Sequence, residues 1–447
     1  MNQTFMREKK ILPLVLSMSL PMVISMAVNS LYNIIDSYFV AKVSENAMTA
    51  LALVYPVQNL INAIAIGFGV GMNAIIAFYL GAGDEVRANR AATQGTVLSF
   101  LHGVLLTVVC IMGMPAFLKN FSSDAEITSL ALLYCNRAFL FSPVIMLGLS
   151  YEKIFQAIGK MNVSMFSMLC GCIVNIILDP VLIFGIGFFP ALGIAGAAYA
   201  TGIGQCVTLI LYLLFYFFGN TPIKLNRTYL KFDPAIVRKL YAIGISATLN
   251  LALPSLLISV LNGLLAGFSE KYVLVLGVYY KLQTFIYLTA NGIIQGIRPL
   301  MGYNFGAGEY GRVKKIYHTA LRMNIGIMLL GMLLSWLVPE QLIGLFTNSQ
   351  ETITIGVTAL HIISFGFIIS AVSITCSGAL EGLGKGYQSL FISLLRYVAV
   401  ILPAAYLFSR FIGADGVWYA FCFTEFVSAG FAAFIYGREN NKSRLPA

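Results

Sequence analysis

Three acids, Asp36, Asp179 and Glu425, stand inside long apolar stretches of this sequence. A charged carboxylate at the centre of a bilayer costs about 2.5 to 3.5 kcal/mol, so each of them needs a partner, a wet cavity or a proton. At helical spacing Asn29, Asn33 and Asp36 share one face, and so do Met168, Cys172, Asn175 and Asp179. In a medium of low polarity two neighbouring carboxyls resist being ionised together, which suits a pair that takes up and releases a proton. The same oxygens, with the Asn175 amide and a hydroxyl, also suit Na⁺, a hard cation. Gluing helices together is the plainer role, and for Asn29 and Asn33 it serves equally well. For the two aspartates an amide would glue at lower cost. Glu425 has no acid or amide at helical spacing, and its expected partner is an arginine inside the membrane: Arg137, Arg298 or Arg396. Pro21 precedes Asp36 in one run, and Pro180 directly follows Asp179; each removes a backbone hydrogen bond and can bend its helix as the site fills.

The elements that must hold these groups follow from composition. Of 447 residues 59% are hydrophobic and only 10% charged, against roughly 25% charged in soluble domains. A water-exposed surface cannot be built from so few charges, and the chain belongs in lipid. Apolar runs lie near 11–40, 50–80, 92–116, 127–150, 162–184 and 192–218, then near 235–267, 272–300, 316–338, 353–378, 387–411 and 416–437. These are continuous, not alternating, which predicts twelve transmembrane helices and excludes a barrel. With the N-terminus inside, 19 of the 28 Lys and Arg fall on its side, 4 on the other and 5 within the runs. Positive residues collect in the cytoplasm, so both termini are expected there and the protein in the cell (inner) membrane. The net charge of +10 is thus a topology signal; the basic residues are too scattered for a nucleic-acid surface. The first run is too long for a cleaved leader and reads as a retained span. The seven cysteines all lie in apolar runs and read as small core residues.

The chain is written twice. Gly81-Ala-Gly83 recurs as Gly306-Ala-Gly308, and Gln58, Gly67 and Gly71 fall on Gln283, Gly292 and Gly296, all 225 residues apart. Gln156-Ala-Ile-Gly-Lys160 meets Glu381-Gly-Leu-Gly-Lys385 at the same offset, and Gly193…Gly196…Tyr199 meets Gly413…Gly416…Tyr419 at 220. The expected fold is all-α: two six-helix bundles, 1–218 and 235–447, joined by a cytoplasmic linker at 219–234. An even number of spans per half relates the bundles by a pseudo-twofold axis along the membrane normal, the layout of alternating access. No phosphate-binding loop is present; the nearest approach, Gly382-Leu-Gly-Lys-Gly386, lacks the spacing and the Ser/Thr. An ion gradient is therefore the expected motor, with no cofactor.

The six-plus-six duplication, the Gly-Ala-Gly loops, Asp36 with Pro21, and Asn175-Ile-Ile-Leu-Asp179-Pro180 followed by Gly-x-x-Gly-x-x-Tyr-Ala-Thr201 together resemble the multidrug and toxic compound extrusion (MATE) transporters, nearest their DinF-like branch. The resemblance spans essentially the whole chain. It implies antiport of amphipathic, often cationic, small molecules against H⁺ or Na⁺ by a monomer in the bilayer, with Asp36, Asn175, Asp179, Thr201 and Tyr134 as ion-coupling residues. The branch with acids in its seventh and tenth helices has no counterpart, because 235–267 and 353–378 hold no Asp or Glu. Met22, Met26 and Met168, with Asn29, Asn33 and Cys172, are the expected cavity lining, thioethers being adaptable contacts for varied substrates. Two other functions use the same residues differently. A flippase for lipid-linked saccharides would bind phosphate through Arg298, Arg396 and Lys281. An intramembrane aspartyl protease would use Asp36 and Asp179, but the local sequences lack the Tyr-Asp and Gly-x-Gly-Asp patterns of such enzymes.

Overall fold

The structure, a computed structural model, describes residues 4–187 and 189–442, with backbone only for 440–442. Phe188, between the fifth and sixth apolar runs, and Arg444, one of the basic residues on the N-terminal side, lie outside the described residues. Among the described residues, twelve helices are long and apolar enough to cross a membrane. In chain order they are α1 (Ile11–Ala41), α2 (Glu45–Gly81), α3 (Glu85–Lys119), α4 (Ala125–Ala157), α5 (Met161–Phe184) and α6 (Ile194–Phe218). The second six are α7 (Pro234–Ala266), α8 (Glu270–Gly306), α9 (Tyr310–Leu337), α10 (Gln350–Gly382), α11 (Gly386–Ile412) and α12 (Asp415–Lys442). Several exceed the ~20 residues needed to span a bilayer. Two are irregular: α4 tightens to 3₁₀ over Phe139–Phe141, and α11 widens to a π-helix over Leu395–Val400.

Polar side chains start these helices and glycines end them. Ser44, Asp84, Asp124 and Ser349 each accept a backbone N–H of the first turn, satisfying donors the helix itself leaves free. The duplicated Gly-Ala-Gly loops turn at Gly83 and Gly308, both at φ 74°, a left-handed conformation that only glycine adopts without strain. Gly159 and Gly384, another repeat pair, turn alike at φ 78° and 75°. Away from the packed faces, α3 exposes Leu101, Leu105, Val108, Val109 and Met112, a surface that only hydrocarbon covers without cost.

Packing divides the described chain into two compact units: residues 24–248, and residues 4–23 with 249–442. This differs from a division along the chain in one respect. The leading part of α1 packs with the second half, and the leading part of α7 packs with the first. Glycines make room for both. A Cβ on Gly67 would stand 2.1 Å from Thr248 Oγ1, and one on Gly71 2.6 Å from the Leu240 carbonyl oxygen. Their repeat partners meet α1 in the same way, with a Cβ on Gly292 2.5 Å from Val23 Cγ2 and one on Gly296 2.6 Å from Ser19 Cα. The changeover in α1 falls between Val23 and Ile24, directly after Pro21.

Each unit has its own core. Val54, Ile61, Tyr134, Phe139 and Ile194 belong to that of the first lobe, and Leu261, Tyr279, Phe367 and Trp418 to that of the second. The linker is fastened to α3. Asn89 Oδ1 accepts from Lys224 N at 2.8 Å, Gln94 Nε2 donates to the Lys231 carbonyl at 2.6 Å, and Arg90 pairs with Asp233 at 2.9 Å.

Candidate ion site in the first lobe

The site begins with two glycines. Gly171 of α5 and Gly204 of α6 face each other so closely that a Cβ on either would lie 2.7 Å from the other's carbonyl oxygen. Small residues at such crossings let membrane helices touch backbone to backbone. One turn further along α5, the closeness carries Asn175 to α6: its Nδ2 donates to Thr201 Oγ1 at 3.3 Å. The same amide donates to Asp179 Oδ1 at 3.3 Å, one turn on again. Asn175 and Asp179 are buried, with 2% and 0% of their surface exposed.

α1 supplies the other carboxyl. The Asp36 and Asp179 carboxyls stand close enough to interact, and a hydrogen bond between two carboxyls needs a proton on one of them. Both lie five residues from the ends of their helices, at Ala41 and Phe184, about 7.5 Å in at 1.5 Å per residue. Counted as carboxylates, Asp36 Oδ1 and Asp179 Oδ2 are buried oxygens without a donor, and Asn175 Oδ1 is a third. A buried acceptor left unpaired is costly. A proton between the carboxyls, or a cation bound by the carboxyl and amide oxygens, would satisfy the group, and both fit these donors.

Tyr134, of α4 and 1% exposed, stands within electrostatic reach of both aspartates and trades hydrogen bonds with Gln58 of α2 at 3.4 to 3.5 Å. The structure places Asp36, Asn175, Asp179 and Thr201 in one cluster, with Tyr134 beside it. Sequence reading missed Tyr32, which lies near Cys172, Asp36 and Asp179. Its position one turn before Asp36 was the only signal, and it is one of 23 tyrosines. Gln58 was visible only as a repeat marker.

The expected lining residues are spread more widely. Asn29 and Asn33 are exposed, and Asn33 spends its amide on the Asn29 carbonyl at 2.7 Å. Cys172 is buried and Met168 half-buried on the face of α5 that carries Asn175 and Asp179. Met26 packs with the first unit, whereas Met22, 2% exposed, packs with the second. Pro21 and Pro180 are both inside continuous helices; Pro180 leaves the Ile176 carbonyl without its helical donor two turns or less from every cluster member on α5.

Two of the remaining intramembrane arginines pair with acids in the second lobe. Glu425 binds Arg396, as expected of it, with Nε to Oε1 at 3.0 Å. Arg298 pairs with Glu381 at 2.5 Å. Of the three basic residues that a phosphate-binding site would use, Arg298 and Arg396 are thus already engaged by acids, and Lys281 lies over the Phe346 ring. Arg137 donates to its own helix, at the Leu133 carbonyl, and lies over the Tyr199 ring. His102 Nε2 shares a hydrogen bond with Tyr241 OH at 2.7 Å.

Comparison with known proteins decides the family. The MatE family model matches residues 21–181 and again 246–407, once in each half. The chain belongs to the MatE family. Its curated relatives include the multidrug export protein MepA of Staphylococcus saprophyticus, 25% identical over 412 residues that cover 92% of this chain and 90% of that one. MepA of Staphylococcus aureus is 26% identical over 413 residues, with the same coverage. Among solved structures, a multidrug resistance MATE family transporter in an outward-facing conformation superimposes with a TM-score of 0.92 at 24% identity, covering 100% of this chain and 99% of that one. A MOP superfamily transporter from Pyrococcus furiosus, described as having a binding pocket of reversed polarity, gives 0.92 at 23% identity with the same coverage. The MatE chain is a multi-pass membrane transporter of the two-lobe, twelve-helix fold, not an enzyme.

Proposed function

We propose that this MatE protein is a secondary active multidrug exporter that exchanges bulky amphipathic, often cationic, compounds for H⁺ or Na⁺ by alternating access. The observation that carries the reading is the approach of the Asp36 and Asp179 carboxyls to each other, with buried oxygens beside them that lack donors. One negative group among them attracts a cation, and a proton or Na⁺ entering from outside displaces a larger one. Competition for a single charge is sufficient for antiport and needs no long-range coupling. The names of the staphylococcal relatives support export of multiple drugs. The distribution of Lys and Arg supports an inner-membrane protein with both termini in the cytoplasm.

The test is dye efflux from vesicles under imposed pH or Na⁺ gradients, wild type against Asp36→Asn. The expected result is loss of gradient-driven efflux in the variant. Efflux that remains driven by the gradient would refute the role given to Asp36.

A further inference from the structure

The internal repeat allows each lobe to be read against the other, position by position. In the first lobe α2, α4 and α6 enclose a small, mostly apolar cleft whose lining includes Gln58, Asn62, Phe141, Ile145, Thr201 and Gln205. At offsets of 225 and 220, Asn62 falls on Tyr287, Ile145 on Ser370 and Gln205 on Glu425. The correspondence holds in space as well as in sequence. A Cβ on Gly202 of α6 would meet the Phe141 ring of α4 at 2.2 Å, and a Cβ on Gly366, the repeat partner of Phe141, would meet Glu425 Cγ at 3.1 Å and the Cα of Cys422, the partner of Gly202, at 3.6 Å. The small and large partners have changed places, and the helix contact has been kept.

What fills the cleft differs. In the first lobe Gly171 has no room for a side chain, since a Cβ would stand 1.9 Å from Thr208 Oγ1. Its repeat partner is Arg396, at the start of the π-helical stretch of α11, an irregularity common at functional sites. The Arg396 guanidinium binds Glu425 Oε1 and donates to Tyr287 OH at 3.3 Å, while Tyr287 OH donates to Ser370 Oγ at 2.9 Å. Every contact to Glu425 uses Oε1; Oε2 is buried without a donor, and so is the Tyr280 hydroxyl nearby. The ionisable groups facing Glu425 are Tyr279, Tyr280 and Tyr287 from α8, Arg396 from α11, with Tyr397 beside that arginine, and Cys422 from its own helix.

We infer that Glu425, with the hydroxyls of Tyr287 and Ser370, is a small-cation site of the second lobe that the chain fills with its own tethered guanidinium. The mobile cation is H⁺ or Na⁺, and Arg396 excludes both by occupying their place. A buried carboxylate that loses its partner must find another cation. Replacing Arg396 by a neutral residue therefore opens a second cation site, and this follows from the geometry of the second lobe, whatever the substrate of the exporter.

The experiment uses the full chain with Asp36→Asn and Asp179→Asn, so that the first lobe contributes no cation dependence, and reads thermal unfolding, not transport. Na⁺ is titrated against choline at fixed pH, and pH is titrated in choline. With Arg396 intact the midpoint is expected to stay flat in both series, and Arg396→Lys, which keeps a tethered cation, to behave likewise. Arg396→Met is expected to gain a rise of about a few degrees with Na⁺, with acid, or with both, identifying the ion, and a further Glu425→Gln to abolish it. A flat Arg396→Met midpoint, or a rise that survives Glu425→Gln, overturns the inference. Failure of Arg396→Met to accumulate at any Na⁺ concentration or pH overturns it as well, because a neutral residue must be tolerated there once a cation is supplied, as Gly171 is at the equivalent position.

Discussion

The least replaceable neighbour of the two aspartates is Asn175, because one amide holds both Asp179 and Thr201. Thr201→Val removes an acceptor from that amide while keeping the shape of the side chain. A single hydrogen bond of this kind contributes about 1 kcal/mol net, so the ion concentration for half-maximal efflux is expected to rise by roughly fivefold, with Thr201→Ser close to wild type. Unchanged ion dependence in Thr201→Val would remove Thr201 from the site. Most of this cluster was legible in the sequence for a physical reason: a carboxyl in an apolar run is too costly to be incidental, and Asn175 and Asp179 stand one turn apart. Tyr32 was not legible, since a tyrosine in a membrane helix carries no such cost. The spread of Met22, Met26 and Met168 was hidden for a similar reason. A methionine fits core, lipid and cavity alike, and only packing assigns it.

Elements were legible where the bilayer dictates them and hidden where only packing does. Twelve apolar runs gave twelve helices, although the exchange of leading segments between the halves left no mark on hydropathy. Its only trace was the repetition of Gly67 and Gly71 as Gly292 and Gly296, whose shared purpose became clear once α7 and α1 were seen lying against them. Gly296→Val should therefore be far more damaging than its chemistry suggests. Overpacking usually costs about 1 to 3 kcal/mol, and here the added atoms would strike the backbone of Ser19. Gly326→Ala, in open space on α9, is the matched control, and folded yield by size-exclusion chromatography separates the two. The linker offers a second test at this scale. Asp233 caps α7, accepting from Ala235 N at 3.1 Å, and the hydrogen bond from Arg90 holds its carboxyl below the usual carboxylate range. A group so depressed contributes its full stabilisation above the ordinary value near 4 and loses it as pH falls through the folded value. Protection of 224–233 from proteolysis is thus expected to be constant from pH 8 to about 5 and to fall only on stronger acidification. Asp233→Ala should expose the segment at neutral pH.

At the scale of the whole molecule, the two lobes treat charge differently. The first buries two acids with a proton or cation to gain, and the second balances Glu425 against Arg396 and Glu381 against Arg298. If only the first lobe exchanges ions, the transport cycle carries one small cation inward for each substrate outward, and its electrical character depends on the substrate alone. Moving one charge through 100 mV is worth about 2.3 kcal/mol, which corresponds to roughly a 50-fold concentration ratio. For a monovalent cationic dye the inward and outward charges cancel, so a potassium diffusion potential imposed on proteoliposomes, with no gradient of H⁺ or Na⁺, should leave its export unchanged. For an uncharged amphipathic substrate the inward cation is uncompensated, and the same potential should drive export toward that 50-fold limit. Equal responses from the two substrates would mean that the second lobe also moves charge, and the one-ion exchange centred on Asp36 and Asp179 would have to be abandoned.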